Sequence, residues 1–178
     1  MGGILSFFSD LLGSNREAYI LILGLDASGK TTVMNRIRYG DNRLTIPTIG
    51  FECEHIQIGS LSFVGFDLGG QDAIRHLWHH YFENADAVVF VIDSNDRDRF
   101  QIVKDELRNL SSHSYLKDCP FLIFANKQDL GNAANVTELT ERLDIHRLMH
   151  NTEWKMCEST ATTGNGIEKG FAWLSNQV

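Results

Sequence analysis

Two hydrophobic rhythms run along the chain. In one, apolar residues follow each other without a break: Tyr19-Ile20-Leu21-Ile22-Leu23, Ala87-Val88-Val89-Phe90-Val91-Ile92 and Phe121-Leu122-Ile123-Phe124-Ala125. Runs of this length with no polar face predict strands covered on both sides. In the other, apolar residues recur at three- and four-residue steps. Val33, Met34 and Ile37 do so in 32–39, as do Ile74, Leu77, Trp78, Tyr81 and Phe82, and Ile167, Phe171 and Leu174. These predict helices. A helix is also expected over 97–110, capped by Asp93-Ser94-Asn95-Asp96, and another over 136–149 with Leu139, Leu143 and Leu148 inward; 154–157 reads as a short strand. Residues 51–58 and 61–66, parted by Gly59-Ser60, predict a hairpin. Leu61 and Phe63 alternate with Ser62, but Glu52-Cys53-Glu54-His55-Ile56-Gln57-Ile58 shows no clean alternation. Register is held by an apolar face, so that strand's register is weakly specified.

The first seventeen residues form a separate pattern. Ile4, Leu5, Phe8, Leu11 and Leu12 lie on one helical stripe, widened by Phe7, with Ser6, Ser9 and Asp10 opposite. Gly13-Ser14-Asn15 ends it. Met1-Gly2-Gly3-Ile4-Leu5-Ser6 fits the M-G-x-x-x-[ST] pattern for N-myristoylation of Gly2. One myristoyl chain binds membrane with only about 10⁴ M⁻¹, so a second signal is needed, and an amphipathic helix can supply it. The same stripe could equally dock on a protein core, and the two uses are compatible if they belong to two states. The expected division is an N-terminal helix, 1–17, and one domain, 18–178.

Composition narrows the classes. A chain of 178 residues, 43% of them hydrophobic, suits one domain with a full core. A net charge of −7 argues against a broad nucleic-acid-binding face, so no nucleic-acid partner is expected. Cys53, Cys119 and Cys157 are odd in number and widely spaced, which is neither a disulfide framework nor a zinc pattern. No apolar run approaches the ~20 residues of a membrane span.

The chemistry concentrates in Gly24-Leu25-Asp26-Ala27-Ser28-Gly29-Lys30-Thr31, which fits G-x-x-x-x-G-K-[ST], between a predicted strand and a predicted helix. The turn's N–H groups and the helix dipole make an anion site, so Asp26, Ala27, Ser28, Gly29, Lys30, Thr31 and Thr32 are the candidate phosphate-binding stretch. Lys30 supplies a point charge at the β- and γ-phosphates and Thr31 a hydroxyl ligand for Mg²⁺. Thr48, in Ile46-Pro47-Thr48-Ile49-Gly50-Phe51, is a candidate second hydroxyl ligand. In Asp67-Leu68-Gly69-Gly70-Gln71, Asp67 could hold Mg²⁺ through water, Gly70 lets the backbone approach a phosphate, and Gln71 could orient an attacking water. Asn126-Lys127-Gln128-Asp129 follows a buried strand. Guanine presents two donors that one carboxylate accepts, so Asp129 predicts guanine selectivity. Lys127 could lay its stem over the base and Asn126 could tie this loop to the P-loop.

With GLDASGKT, IPTIGF, DLGGQD and NKQD in this order, the chain resembles the Arf family of small GTPases, either Arf proper or an Arf-like relative. The resemblance spans Gly2 to the WLSNQ run ending at Gln177. It implies an α/β P-loop NTPase fold of small-GTPase type: a six-stranded, mostly parallel sheet flanked by helices, plus the N-terminal amphipathic helix. It implies a switch that binds GTP or GDP with Mg²⁺, hydrolyses GTP slowly with Gln71 as catalytic residue, and regulates membrane and vesicle trafficking by GTP-dependent membrane attachment. Ala161 would offer its backbone N–H to the base, and Phe51, Phe66, Trp78 and Tyr81 would form an exposed effector surface. Implied partners are an exchange factor, an activator protein supplying an arginine, coat or tether effectors and membrane lipid. A monomer is expected, cycling between cytoplasm and Golgi or other endomembranes. Phe66 stands where the family commonly has Trp, and Ala73 and His76 replace a Lys and a Pro common in Arf proper. Two other classes stand beside this reading. A P-loop kinase would need a cluster of lid arginines, which Arg108, Arg142 and Arg147 do not make. A nucleotide-locked adaptor without turnover would commonly lack Gln71.

Overall fold

The computed structural model of the chain describes residues 3–40, 53–68 and 78–178. Gly2, Thr48, Phe51, Gly70 and Gln71 lie outside the described residues, as do the side chains of Leu5, Leu11 and Trp78. The continuous apolar runs form the centre of one sheet. Its strands are β1 (Ala18–Leu25), β2 (Glu54–Ile58), β3 (Leu61–Leu68), β4 (Ala87–Asp93), β5 (Phe121–Asn126) and β6 (Trp154–Glu158), in the order β2-β3-β1-β4-β5-β6. Among these strands only the β2–β3 pair is antiparallel. The helices are α1 (Ser9–Gly13), entered through a 3₁₀ turn at Ile4–Phe8, α2 (Lys30–Tyr39), α3 (Trp78–Phe82), α4 (Phe100–Ser111), α5 (Val136–Arg142), α6 (Ile145–Leu148) and α7 (Ile167–Ser175).

Strand alternation divides the core in two. Leu21, Leu23, Val64, Phe66, Val88, Phe90, Phe121 and Ile123 meet α4, α5 and α6 on one face. Ile20, Ile22, Phe63, Val89, Val91, Leu122 and Phe124 meet α2, α7 and the N-terminal segment on the other. Chain order reverses at β1, which has β3 on one side and β4 on the other. In open parallel sheets such a reversal leaves a crevice at the carboxyl ends of the strands. There the register sets Gly24 beside Asp67, and Asp93 beside Asn126. The three cysteines are free thiols.

The N-terminal stripe is docked. Ile4 and Phe8 are buried, and the Phe8 ring meets Phe63 and Phe171 edge-on at centroid distances of 6.3 and 6.2 Å. Leu12 lies over the hairpin turn: a Cβ at Gly59, whose φ is +58°, would come within 2.8 Å of its Cδ2. Phe7 and Leu12 are 36% and 37% exposed.

Three expectations are corrected. The helix predicted over 136–149 is two helices, broken where Asp144 adopts φ +54°. Leu143 and Ile145 are both fully buried; on one continuous helix they would point about 200° apart, so the break is what lets both reach the core. The helix predicted from Arg97 opens with a 3₁₀ turn, Arg97–Arg99, and Asp96 does not cap it with its side chain. Its carboxylate accepts from Arg99 Nε at 2.5 Å instead. The third is Phe66, expected on an exposed effector surface but only 1% exposed. It lies on an interior strand covered on both faces and packs on Tyr81 and Phe82 at 5.5 and 6.3 Å. Tyr81 is half-buried.

Candidate nucleotide site

The P-loop runs from the end of β1 into α2, and its shape is set from outside. Arg99 NH2 donates to the Asp26 carbonyl at 2.9 Å, Lys127 Nζ to the Ala27 carbonyl at 2.6 Å and Asn126 Nδ2 to the Ser28 carbonyl at 3.0 Å. In a trans peptide the carbonyl and the following N–H point opposite ways. Three successive carbonyls held outward therefore turn the N–H groups of Ala27, Ser28 and Gly29 toward the inside of the loop, where that of Ser28 meets the Leu25 carbonyl at 3.3 Å and those of Ala27 and Gly29 take the arrangement of an anion-binding nest. Gly29 has φ +103°, and a Cβ there would stand 2.3 Å from Asn126 Nδ2, so the Asn126 tether requires glycine at this position. The buried Ser28 hydroxyl has no hydrogen-bond partner among the described residues. Inward N–H groups and an unpaired buried hydroxyl fit a phosphate group.

Lys30 begins α2 and is 7% exposed. Its ammonium donates to the Leu25 carbonyl at 2.7 Å and pairs with Asp67 at the end of β3. Burial pushes its pKa below the ordinary lysine value, against the opposing pull of the Asp67 carboxylate. Thr31 and Asp67 line one small space together with Lys30 and Gly65. Hydroxyl and carboxylate oxygens are the donors Mg²⁺ prefers, so these two residues suit that ion.

Asn126, Lys127 and Ala161, expected around the base, come together, but the Ala161 N–H expected to reach the base donates to the Asn126 side chain instead. Asn126 joins three segments: it donates to the P-loop, while its Oδ1 accepts from Ala161 N at 3.0 Å and from Ser159 Oγ at 3.2 Å. Lys127 has φ +64° and sends its ammonium to Ala27 and, at 2.7 Å, to Asp93 Oδ2. Asp93, read as a helix cap, is thus an anchor for Lys127. Asp129 is exposed in the turn closed by Leu130 N–H on the Lys127 carbonyl at 3.1 Å, and no hydrogen bond or ion pair engages its carboxylate among the described residues. Thr32 is half-buried on α2.

Sequence reading missed three supports. Arg36, two turns along α2, donates through Nε to the Ala161 carbonyl at 2.9 Å and through NH2 to the Thr162 carbonyl. Gln128 Nε2 fastens the NKQD loop to the carbonyls of Ala125 and Ala134 at 3.2 and 2.8 Å. Arg99 grips Asp26 and Asp96. Arg36 and Arg99 reach Ala161, Thr162 and Asp26, all more than 60 positions distant, so no local pattern marks them.

A family model described as the ADP-ribosylation factor family matches residues 4–178. The chain belongs to the ADP-ribosylation factor family. Among solved structures it is similar to the Arl6 BBS3 small GTPase from Trypanosoma brucei with bound nucleotide analogue GppNp. The two are 36% identical, with a TM-score of 0.75, over 91% of this chain and 99% of that one. As a member of the ADP-ribosylation factor family, the protein is a small GTPase, a switch that binds and hydrolyses GTP.

Proposed function

We propose that this GTPase couples its nucleotide state to membrane attachment through the β2–β3 hairpin. The observation that carries the reading is the docking of the N-terminal helix. Phe8 packs on Phe63 of β3, and Leu12 lies over Gly59 in the hairpin turn. Any slide of the hairpin along β1 would move both contacts. A slide by an even number of residues keeps each side chain on its own face. On β2, Ile56 is the one buried residue, so little apolar burial fixes its register. GTP would select the displaced register by recruiting Thr48 and the Gly70 N–H to its γ-phosphate. The helix would then lose its groove and enter lipid, with Gly2 myristoylated as the first anchor. Gly3 and Ile4 line a cleft of about 440 Å³ with Ile37, Tyr39 and Ile167, room for an acyl chain in the docked state.

Within the site, Lys30 holds the β- and γ-phosphates, Thr31 and Thr48 would hold Mg²⁺ directly and Asp67 through water, and Gln71 orients the attacking water. When bound, Mg²⁺ would supply positive charge against that developing on the phosphates. Asp129 accepts from guanine, with Asn126, Lys127 and Ala161 shaping the base pocket. Arg99 is the only arginine whose side chain touches the P-loop among the described residues, and three acceptors on Asp26 and Asp96 engage it. Intrinsic hydrolysis is therefore slow, and an activator protein supplies the arginine. An exchange factor loads GTP. The protein works as a monomer that recruits coat or tether effectors to Golgi or other endomembranes through a surface around Phe51, Trp78 and Tyr81. Single-turnover GTP hydrolysis with and without an ADP-ribosylation-factor activator tests the catalytic half of this reading. A rise of about 10³-fold or more with activator is expected; equal rates would contradict it.

A further inference from the structure

The P-loop carries a carboxylate of its own. Asp26 stands in the loop whose N–H groups must face anionic phosphates, and its side chain is 73% exposed. A bare carboxylate there would repel the ligand, the more so the more charge the ligand brings. Arg99 answers that charge. It closes the 3₁₀ turn after β4 and donates through NH1 to Asp26 Oδ1 at 2.6 Å and through NH2 to the Asp26 carbonyl at 2.9 Å. Nε goes to Asp96 Oδ2 at 2.5 Å, which fixes the guanidinium plane. Its side chain is 29% exposed. One planar group thus neutralises the carboxylate and turns the peptide after Asp26 so that the Ala27 N–H faces inward. Asp26 and Arg99 also act electrostatically on the Lys30 ammonium, in opposite directions, so the pair shares the field around the group that meets the β- and γ-phosphates.

We propose that Arg99 is a positioning residue that sets the balance between GTP and GDP, by cancelling the Asp26 charge and holding the first P-loop carbonyl away from the phosphates. The proposal rests on the nucleotide-site reading above. The pair adds little to stability as a surface ion pair; its consequence is in what its absence would leave beside the ligand. A triphosphate carries one more negative charge than a diphosphate, so an uncompensated Asp26 discriminates against GTP. Lysine at position 99 would keep the charge but lose the fork that reaches carboxylate and carbonyl together.

The test is the affinity of full-length protein for GDP and for a non-hydrolysable GTP analogue with Mg²⁺, by competition against a fluorescent guanine nucleotide. The variants are Arg99→Ala, Arg99→Lys, Asp26→Ala and the Asp26→Ala/Arg99→Ala double, each checked for a cooperative thermal transition. Arg99→Ala should weaken the GTP analogue about tenfold and GDP by less than about threefold, a gap of roughly half a decade or more in Kd ratio. The double variant should recover at least half of that gap, because the repelling carboxylate is gone. Arg99→Lys should fall between wild type and Arg99→Ala. Equal losses for both nucleotides, or a double variant no better than Arg99→Ala, would overturn the proposal. Wild type binding neither nucleotide would overturn the site reading and this proposal with it, and is told apart because the other outcomes all require wild-type binding.

Discussion

Asn126 and Asp129 sit three residues apart and do opposite things. The Asn126 amide is buried and engages the P-loop, Ser159 and Ala161, so it organises the pocket. No described residue engages the Asp129 carboxylate, which the proposed reading assigns to the base. Asp129→Asn should exchange an acceptor for a donor and shift preference from guanine toward xanthine nucleotides by on the order of 10²-fold. Unchanged selectivity in a binding competition would remove Asp129 from the base site. At Gln71, Leu substitution should lower activator-stimulated GTP hydrolysis at least about a hundredfold, which single-turnover kinetics would show. Motif residues such as Lys30, Asn126 and Asp129 were legible because their spacing is fixed by local backbone geometry. Arg36 and Arg99 were not, because their partners at Ala161 and Asp26 are brought near only by the tertiary fold.

At the scale of elements, strands proved more legible than helix ends. Each continuous apolar run became a central strand, since full burial on two faces leaves no other composition. Phe66 was misread because a residue of the same apolar character serves a surface patch or a core equally well; its place on β3, between two covered faces, decided for the core. Asp144 escaped because a single left-handed residue leaves little trace in a helical pattern. Among the described side chains of the 3₁₀ turn and α1, Ile4 and Phe8 are the buried ones. Burying a phenylalanine is worth about 1.5–3 kcal/mol. Phe8→Ala should therefore raise amide exchange across 3–13 by about 10- to 100-fold in the GDP-bound protein, while amides of β4 and β5 stay protected. Unaltered exchange would mean that Phe8 does not hold the segment down. For the lipid half of the attachment, Gly2→Ala should leave the protein in the soluble fraction of cells, and stable membrane residence of that variant would point to another anchor.

Across the whole molecule, the nucleotide site and the N-terminal helix lie at different ends of the same strands. The P-loop, Asp67, Asp93 and Asn126 occupy the carboxyl edge of the sheet, while Leu12 covers the hairpin turn at the amino end of β3. β3 joins them: Asp67 pairs with Lys30 at one end and Phe63 packs under Phe8 nearer the other. Under the proposed reading two ligands, nucleotide and membrane, would bias one element, which is what linkage requires of a coupled switch. The most direct measurement is nucleotide exchange from GDP to GTP, for the full-length protein and for a form lacking residues 1–17, with and without liposomes. The account predicts that the truncated form loads GTP readily without membrane, and that the full-length form does so only when liposomes take up its helix. Equal loading rates for the two forms, with no liposome effect on the full-length protein, would contradict the coupling.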